Sequence, residues 1–212
     1  MKRTKEEALA TRQHIIDTAR KMFLKNGYSN TKLDHIASEA NVTRGAIYWH
    51  FKDKLDLVKA ITATEMKSLH ELFMVVFTED LPAGIKVRNI IKAIVNNFYD
   101  NASYREYIEL TWFRMEYTQL SQLLESRAGR TAFFIREYEK IIKEAQKEGM
   151  IRSEISSMDI TLTLTNLING MYRMYFLLPQ MMSTKDKALA PFNSYLNLIS
   201  TETHADIRTS SK

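Results

Sequence analysis

The chain has 212 residues, 45 % apolar and 26 % charged, enough to bury a core and too apolar to be disordered by composition. It has no cysteine, which excludes disulfides, thiolate metal sites and cysteine nucleophiles, and its 6 glycines and 3 prolines favour helices over a turn-rich β fold. The net charge of +5 is unevenly placed: residues 1–60 hold 12 Lys and Arg against 7 Asp and Glu, and residues 61–212 hold 18 of each. A basic module on a neutral body points to an anionic partner at one end.

In chain order, residues 6–25 read as a first helix, with Leu9, Ile15, Ile16, Ala19, Met22 and Phe23 at helical spacing. Gly27 is a plausible left-handed stop. Thr31-Lys-Leu-Asp34 has the capping-box pattern, and Leu33, Ile36, Ala37 and Ala40 follow it on a short second helix. Asn41 and Val42 make a turn. Thr43 suits the N-cap of a third helix ending near His50, and Asp53 that of a fourth running to about Phe77. Helix, short helix, tight turn and short helix make a helix-turn-helix.

Pro82 suits the start of a fifth helix, which carries Val87, Ile90, Ile91, Ile94, Val95 and Phe98. A sixth is expected over 104–117 and a long seventh over 119–148, with Gly149 just past its end. The eighth starts near Ser157 and stops at Pro179. A ninth is placed from Pro191 on, because proline suits a first turn and breaks an interior. Strand signals are missing, so the fold class is all-α with about nine helices.

Several chemistries are absent. The closest two glycines, Gly27 and Gly45, are 18 apart, so no GxGxxG, P-loop or GxSxG elbow can be written. None of the 5 histidines lies in HExxH or ExxH. No metal or cofactor is implied. No apolar run approaches the ~20 residues of a membrane helix, and the charged start lacks the hydrophobic stretch of a secretory signal. A cytoplasmic, non-enzymatic protein without a membrane partner is expected.

At ~100° per residue the third helix turns Ile47 and Phe51 inward, toward Ile36, Ala37 and Val42. Arg44, Gly45, Tyr48 and Trp49 fall on the other side. Such an exposed face is odd for a plain surface and apt for a major groove. Arg44 can donate a bidentate pair to guanine O6 and N7. Gly45 lets the backbone approach closely. Tyr48 and His50 can reach phosphates, Thr43 can add a contact at the helix start, and Lys54 sits in the first turn of the fourth helix. Singly, each has a plainer reading: His50 as cap or core, Tyr48 and Trp49 as packing, Lys54 as a solvated charge. Lys2, Arg3 and Lys5 make either a basic arm or a disordered terminus.

The run Phe23-x3-Gly-Tyr-x2-Thr31-x4-Ile-Ala-x2-Ala40-x-Val-x2-Gly45-x2-Tyr-x-His-Phe51-x2-Lys54-x2-Leu57 resembles the DNA-binding segment of the TetR family. The run Thr43-Arg-Gly-Ala-Ile-Tyr-Trp-His-Phe51, with Glu7, Ala8, Arg12 and Gln13 before it, is especially similar to AcrR-type repressors of multidrug efflux pumps. The likeness covers about residues 7–58. One departure is Asn41, where the family usually has Gly; Asn tolerates the left-handed region. The resemblance implies that Thr43, Arg44, Gly45, Tyr48, Trp49, His50 and Lys54 contact double-stranded operator DNA. It also implies a homodimer and a C-terminal inducer pocket. Residues 1–52 would then be the DNA-binding domain, with the helix-turn-helix about 32–51. Residues 53–78 would be a connecting helix and 79–212 a ligand-binding and dimerisation domain.

In the neutral body, Glu109, Trp112, Phe113 and Glu116 share one face of the sixth helix. A carboxylate beside aromatic rings can hold a lipophilic cation, but Glu109 and Glu116 can equally be solvated or paired with Arg105. The eighth helix has two apolar stripes, which include Met171, Tyr172 and Tyr175, and so needs two partners. These three join the candidate pocket residues, though such stripes are usually core. The eighth and ninth helices are the candidate dimer seam. The expected function is a ligand-responsive repressor, released from its operator by a lipophilic or cationic inducer. Its rivals are a ligand-independent regulator, an activator, and a helical-bundle enzyme.

Overall fold

The computed structural model describes residues 4–115, 117–125 and 128–201. Among these residues are ten α-helices and one π-helical turn, with no strand beyond an isolated bridge between Ile151 and Ser200. The contacts form two compact units. One comprises Met1–Leu69 and Ala102–Arg127, the other His70–Asn101 and Ala128–Lys212.

The first unit begins with α1 (Lys5–Asn26), opened by a capping box between Thr4 and Glu7. Gly27 ends it with φ 80° and ψ 159°, positive as expected but extended rather than αL. Then come α2 (Leu33–Glu39), α3 (Arg44–His50) and the start of α4 (Lys54–Thr78). The apolar spacing of α1 buries Ile15, Ile16, Ala19 and Phe23 with Ile36, Ala37, Ile47, Phe51, Leu57 and Ile61. This core holds the two short helices in place, since seven residues are too few for a helix stable alone. The same unit includes α6 (Ala102–Glu109), the π-helical turn Leu110–Arg114 and α7 (Tyr117–Glu125).

The second unit contains the end of α4, then α5 (Ala83–Asp100), α8 (Ala128–Lys147), α9 (Ser157–Leu177) and α10 (Lys185–Ile199). The expected face of α5 is buried from Val87 to Phe98, and Pro82 stands as its N-cap. The Ala83 amide donates to the Glu148 carboxylate at 2.7 Å, which satisfies one orphan group of the α5 start. Gly149 closes α8 at φ 71°, with Met150 N–H donating to Ala145 O at 2.9 Å and Gly149 N–H to Gln146 O at 3.1 Å. This pair of bonds is a Schellman cap.

Four local expectations need correction. The 119–148 stretch is two helices, α7 and α8; residues 126–127 lie outside the described residues. The last helix starts at Lys185, not at Pro191, because the Thr184 side chain caps it by accepting from the Lys187 amide, and Pro191 lies inside. Burial of Ala188, Phe192, Leu196 and Ile199 offsets the proline there. Thr31 does not cap α2. It is fully buried, and its hydroxyl donates to Gly27 O at 2.8 Å, while Lys32 is the N-cap without a side-chain bond. The sixth helix changes to π geometry at Leu110, where the Thr111 hydroxyl donates to Tyr107 O at 2.9 Å.

Candidate nucleic-acid interface

The helix-turn-helix is built by α2, α3 and the turn between them. Asn41 takes φ 51° and is the non-glycine residue with positive φ among the described residues. Around it, Val42 N–H donates to Ala37 O at 3.0 Å and Asn41 N–H to Ser38 O at 3.1 Å, again a Schellman pattern. The departure from glycine therefore leaves the turn intact. Thr43 then caps α3, its side chain accepting from Ala46 N–H at 3.1 Å. Ile47 and Phe51 are buried, which fixes the roll of α3. The Arg12 guanidinium lies 5.0 Å from the Phe51 ring centroid and packs α1 onto the end of α3.

That roll turns Thr43, Arg44, Gly45, Tyr48 and Trp49 outward. Trp49 is 73 % exposed, which no packing role explains. Its ring meets His50 edge-on at 4.5 Å, and His50 is half-buried. The Arg44 guanidinium lies 5.7 Å from the Tyr48 ring centroid. Its Nε pairs with Asp34 Oδ1 of α2 at 3.0 Å. Lys54 is half-buried, and its ammonium donates to Tyr28 O at 2.7 Å and Ser29 O at 3.2 Å. It also lies 4.5 Å from the Tyr28 ring centroid. Burial first, and then the charge of Asp53, hold the Tyr28 phenol above its ordinary pKa.

A small helix rolled by a buried isoleucine, with a guanidinium and two aromatic rings facing out, has the size and the exposed side chains that can enter a major groove. Comparison with known proteins points to a DNA-binding regulator. Residues 15–61 match the model of bacterial regulatory proteins, tetR family. Along 188 residues the chain is 32 % identical to the transcriptional regulator TtgR of Pseudomonas putida, covering 84 % of this chain and 86 % of TtgR. The chain belongs to the TetR family of regulators. It is also 28 % identical to AcrR of Shigella flexneri over 88 % of each chain, the type that the Thr43–Phe51 run resembles. The fold matches that of NalD, the secondary repressor of the MexAB-OprM multidrug efflux pump in Pseudomonas aeruginosa, with TM-score 0.78 and 22 % identity. That likeness covers 94 % of this chain and all of the NalD chain, 100 %.

The candidate inducer residues of this TetR-family chain fall in two places. In the first unit, Trp112 and Phe113 lie on the π-helical turn and are 40 % and 37 % exposed. Glu109 pairs with Arg114, at 2.8 Å to Nη2 and 3.1 Å to Nε. Because the π turn changes the repeat, the expected i, i+3, i+4, i+7 face does not continue through it. Glu116 lies outside the described residues. In the second unit, Met171 and Tyr172 are buried. The Tyr172 and Tyr175 rings meet Phe98 at 4.8 and 4.9 Å, an aromatic core between α5 and α9. Among the described residues no helix is long and apolar enough to cross a membrane.

Sequence reasoning missed two groups in the first unit. Asp34 is one. The other centres on Arg20, whose Nη1 lies 3.2 Å from Glu65 of α4, Nη2 3.1 Å from Asp17, and Nε 3.1 Å from Glu106 of α6. The last pair is an ionic contact without hydrogen-bond alignment. Ser103 of α6 accepts from Arg20 and donates to Glu65 Oε1 at 2.6 Å. The cluster ties α1, α4 and α6 together. Ionic groups from three helices leave no periodic trace in sequence. A polar residue on the inward side of a helix is the one signal available, and Glu65 and Arg20 both give it.

Proposed function

We propose that the protein is a ligand-responsive transcriptional repressor that binds a two-fold operator as a homodimer and is released by a lipophilic or cationic inducer. The observation that carries this reading is the outward face of α3, with Arg44, Gly45, Tyr48 and Trp49 displayed over a buried Ile47. In this reading Arg44 reads a guanine edge, and Gly45 admits the backbone to the groove. Thr43, Tyr48, Trp49, His50 and Lys54 meet the DNA around it. Two such heads occupy successive major grooves, about 34–36 Å apart. Its place of action is then the cytoplasm, where the DNA is. The likeness to AcrR and to NalD supports an efflux operon as the target.

For dimerisation we assign α9 and α10, where Leu162, Leu177 and Leu198 are exposed apolar side chains. For sensing we assign Trp112, Phe113 and Glu109 in the first unit, and Met171, Tyr172 and Tyr175 in the second. The first group is well placed to signal. Tyr28, in the loop between α1 and α2, donates its amide to Arg114 O, the last residue of the π turn, at 3.2 Å. A displaced π turn therefore pulls on the helix-turn-helix support. Induction requires tighter ligand binding to the DNA-incompetent state, and tenfold tighter is about 1.4 kcal/mol of coupling.

The test is fluorescence anisotropy with the DNA upstream of the gene, repeated with added salt, with lipophilic cations and with Arg44→Ala. Affinity should fall steeply and linearly in log–log salt. Arg44→Ala should lose about 1–3 kcal/mol and relax one base-pair position per half-site. A flat salt plot sinks the DNA reading; DNA binding that no lipophilic compound weakens sinks the inducer reading alone.

A further inference from the structure

The pair between Arg44 and Asp34 joins the two helices of the reading head. Asp34 sits in the first turn of α2 and Arg44 is the first residue of α3. Both side chains are solvent-exposed, so the pair adds little to the stability of the free protein. Its position is the informative part. A carboxylate beside a surface that must meet phosphates is unfavourable for DNA binding unless a cation neutralises it. Arg44 does so at 3.0 Å, and the contact is made through Nε. The Nη1 and Nη2 end of the guanidinium is the fork that matches guanine O6 and N7. The Tyr48 ring, 5.7 Å from the guanidinium carbon, flanks the same group.

From this arrangement we infer that Asp34 is a positioning residue for base recognition. It holds the Arg44 guanidinium by its Nε edge, so that the fork enters the groove already oriented. An arginine on a flexible stem loses rotamer freedom on binding, and holding it beforehand removes part of that cost for the right base only. Water leaves the interface when DNA arrives, and the pair strengthens as it does so. Asp34 therefore acts on discrimination at the base pair that Arg44 reads. This role rests on the proposed base-reading role of Arg44.

The experiment uses the full chain and the upstream duplex, with a set of duplexes changed at one base pair in both half-sites. Arg44→Ala first locates the position it reads. Asp34→Ala should then flatten preference at that same position by roughly tenfold, with the other positions and the melting temperature unchanged. Asp34→Asn, which keeps an acceptor oxygen, should restore part of it. In the Arg44→Ala background, Asp34→Ala should cause no further loss of preference and should tighten binding overall, because an uncompensated carboxylate has gone. Full preference retained in Asp34→Ala overturns the role. So does a new change of preference at a second position in the Arg44→Ala background, which would mean that Asp34 reads a cytosine amino group itself. If Arg44→Ala alone leaves every preference intact, the base-reading assignment fails and this role falls with it, an outcome visible before Asp34 is touched.

Discussion

Replacing Arg20 with alanine should cost more stability than replacing Glu65, although both changes break the same 3.2 Å ion pair. The asymmetry follows from what each change leaves behind. Arg20→Ala strands the Glu65 carboxylate, whose side chain is 5 % exposed, with the Ser103 hydroxyl beside it. Breaking a buried pair in this way costs about 3–5 kcal/mol. Glu65→Ala leaves the Arg20 guanidinium with Asp17 and Glu106, both at 3.1 Å. Those carboxylates are 40 % and 39 % exposed, so the remaining charge stays paired at the edge of water. The loss is then about 1.5–3 kcal/mol, the worth of a charge-assisted hydrogen bond. Arg20→Leu with Glu65→Leu should cost less than the sum of the single changes, since no unpaired buried charge remains from the pair. Urea unfolding followed by circular dichroism measures all four proteins, at one fixed concentration because a dimer's stability depends on it. A Glu65→Ala protein as unstable as Arg20→Ala, or less stable, would refute the reasoning.

Other changes test the turn, the last helix and the proposed sensor. Asn41→Ala should lower stability by about 1 kcal/mol and Asn41→Gly should leave it level or raised, because φ 51° suits glycine best; equal melting temperatures for the two would contradict this. Pro191→Ala should raise stability by about 1–3 kcal/mol, since the proline is exposed inside α10 and its ring opposes the carbonyl four residues back. A thermal melt reads the sign directly. Trp112→Ala should impair release of DNA by lipophilic compounds while operator affinity changes little, and normal induction would remove Trp112 from the sensor.

Much of the fold was legible because it rests on local rules. The spacing of Ile15, Ile16, Ala19 and Phe23, and of the run from Val87 to Phe98, gives helical faces that are buried as read. Thr43 and Asp53 act as the caps their residue types suggest, Asp53 by accepting from Asp56 N–H at 2.8 Å. What was illegible depends on long-range context. Thr31 fits a cap pattern, yet its hydroxyl turns inward because Gly27 O lies within reach at 2.8 Å. Pro191 reads as a start, yet Thr184 caps a better one at Lys185, six residues earlier, and a buried face carries the helix across the proline. The outward face of α3 needed only periodicity and the burial of Ile47. Asp34 and the Arg20 cluster needed three dimensions, since their partners, the neighbouring Asp17 apart, are ten to eighty-six residues away in sequence.

Lys54 shows why placing a residue on a helix does not by itself assign its role. From its position in the first turn of α4 it reads as a phosphate contact. In the structure its ammonium donates to Tyr28 O and Ser29 O and lies over the Tyr28 ring, so it also fastens the loop between α1 and α2 to the start of α4. Lys54→Met keeps the apolar stem and removes the charge. The carbonyl contacts and the ring contact together should then cost about 1–2 kcal/mol, toward the low end for charged hydrogen bonds because the group is half-buried. If the ammonium also meets a phosphate, the slope of log affinity against log salt should fall by about one. The two measurements are independent and come from one protein. A lower melting temperature with an unchanged slope removes Lys54 from the DNA surface and leaves it as the fastening of that loop. A lower slope with an unchanged melting temperature means that its carbonyl contacts carry no stability, and that the charge is there for the DNA.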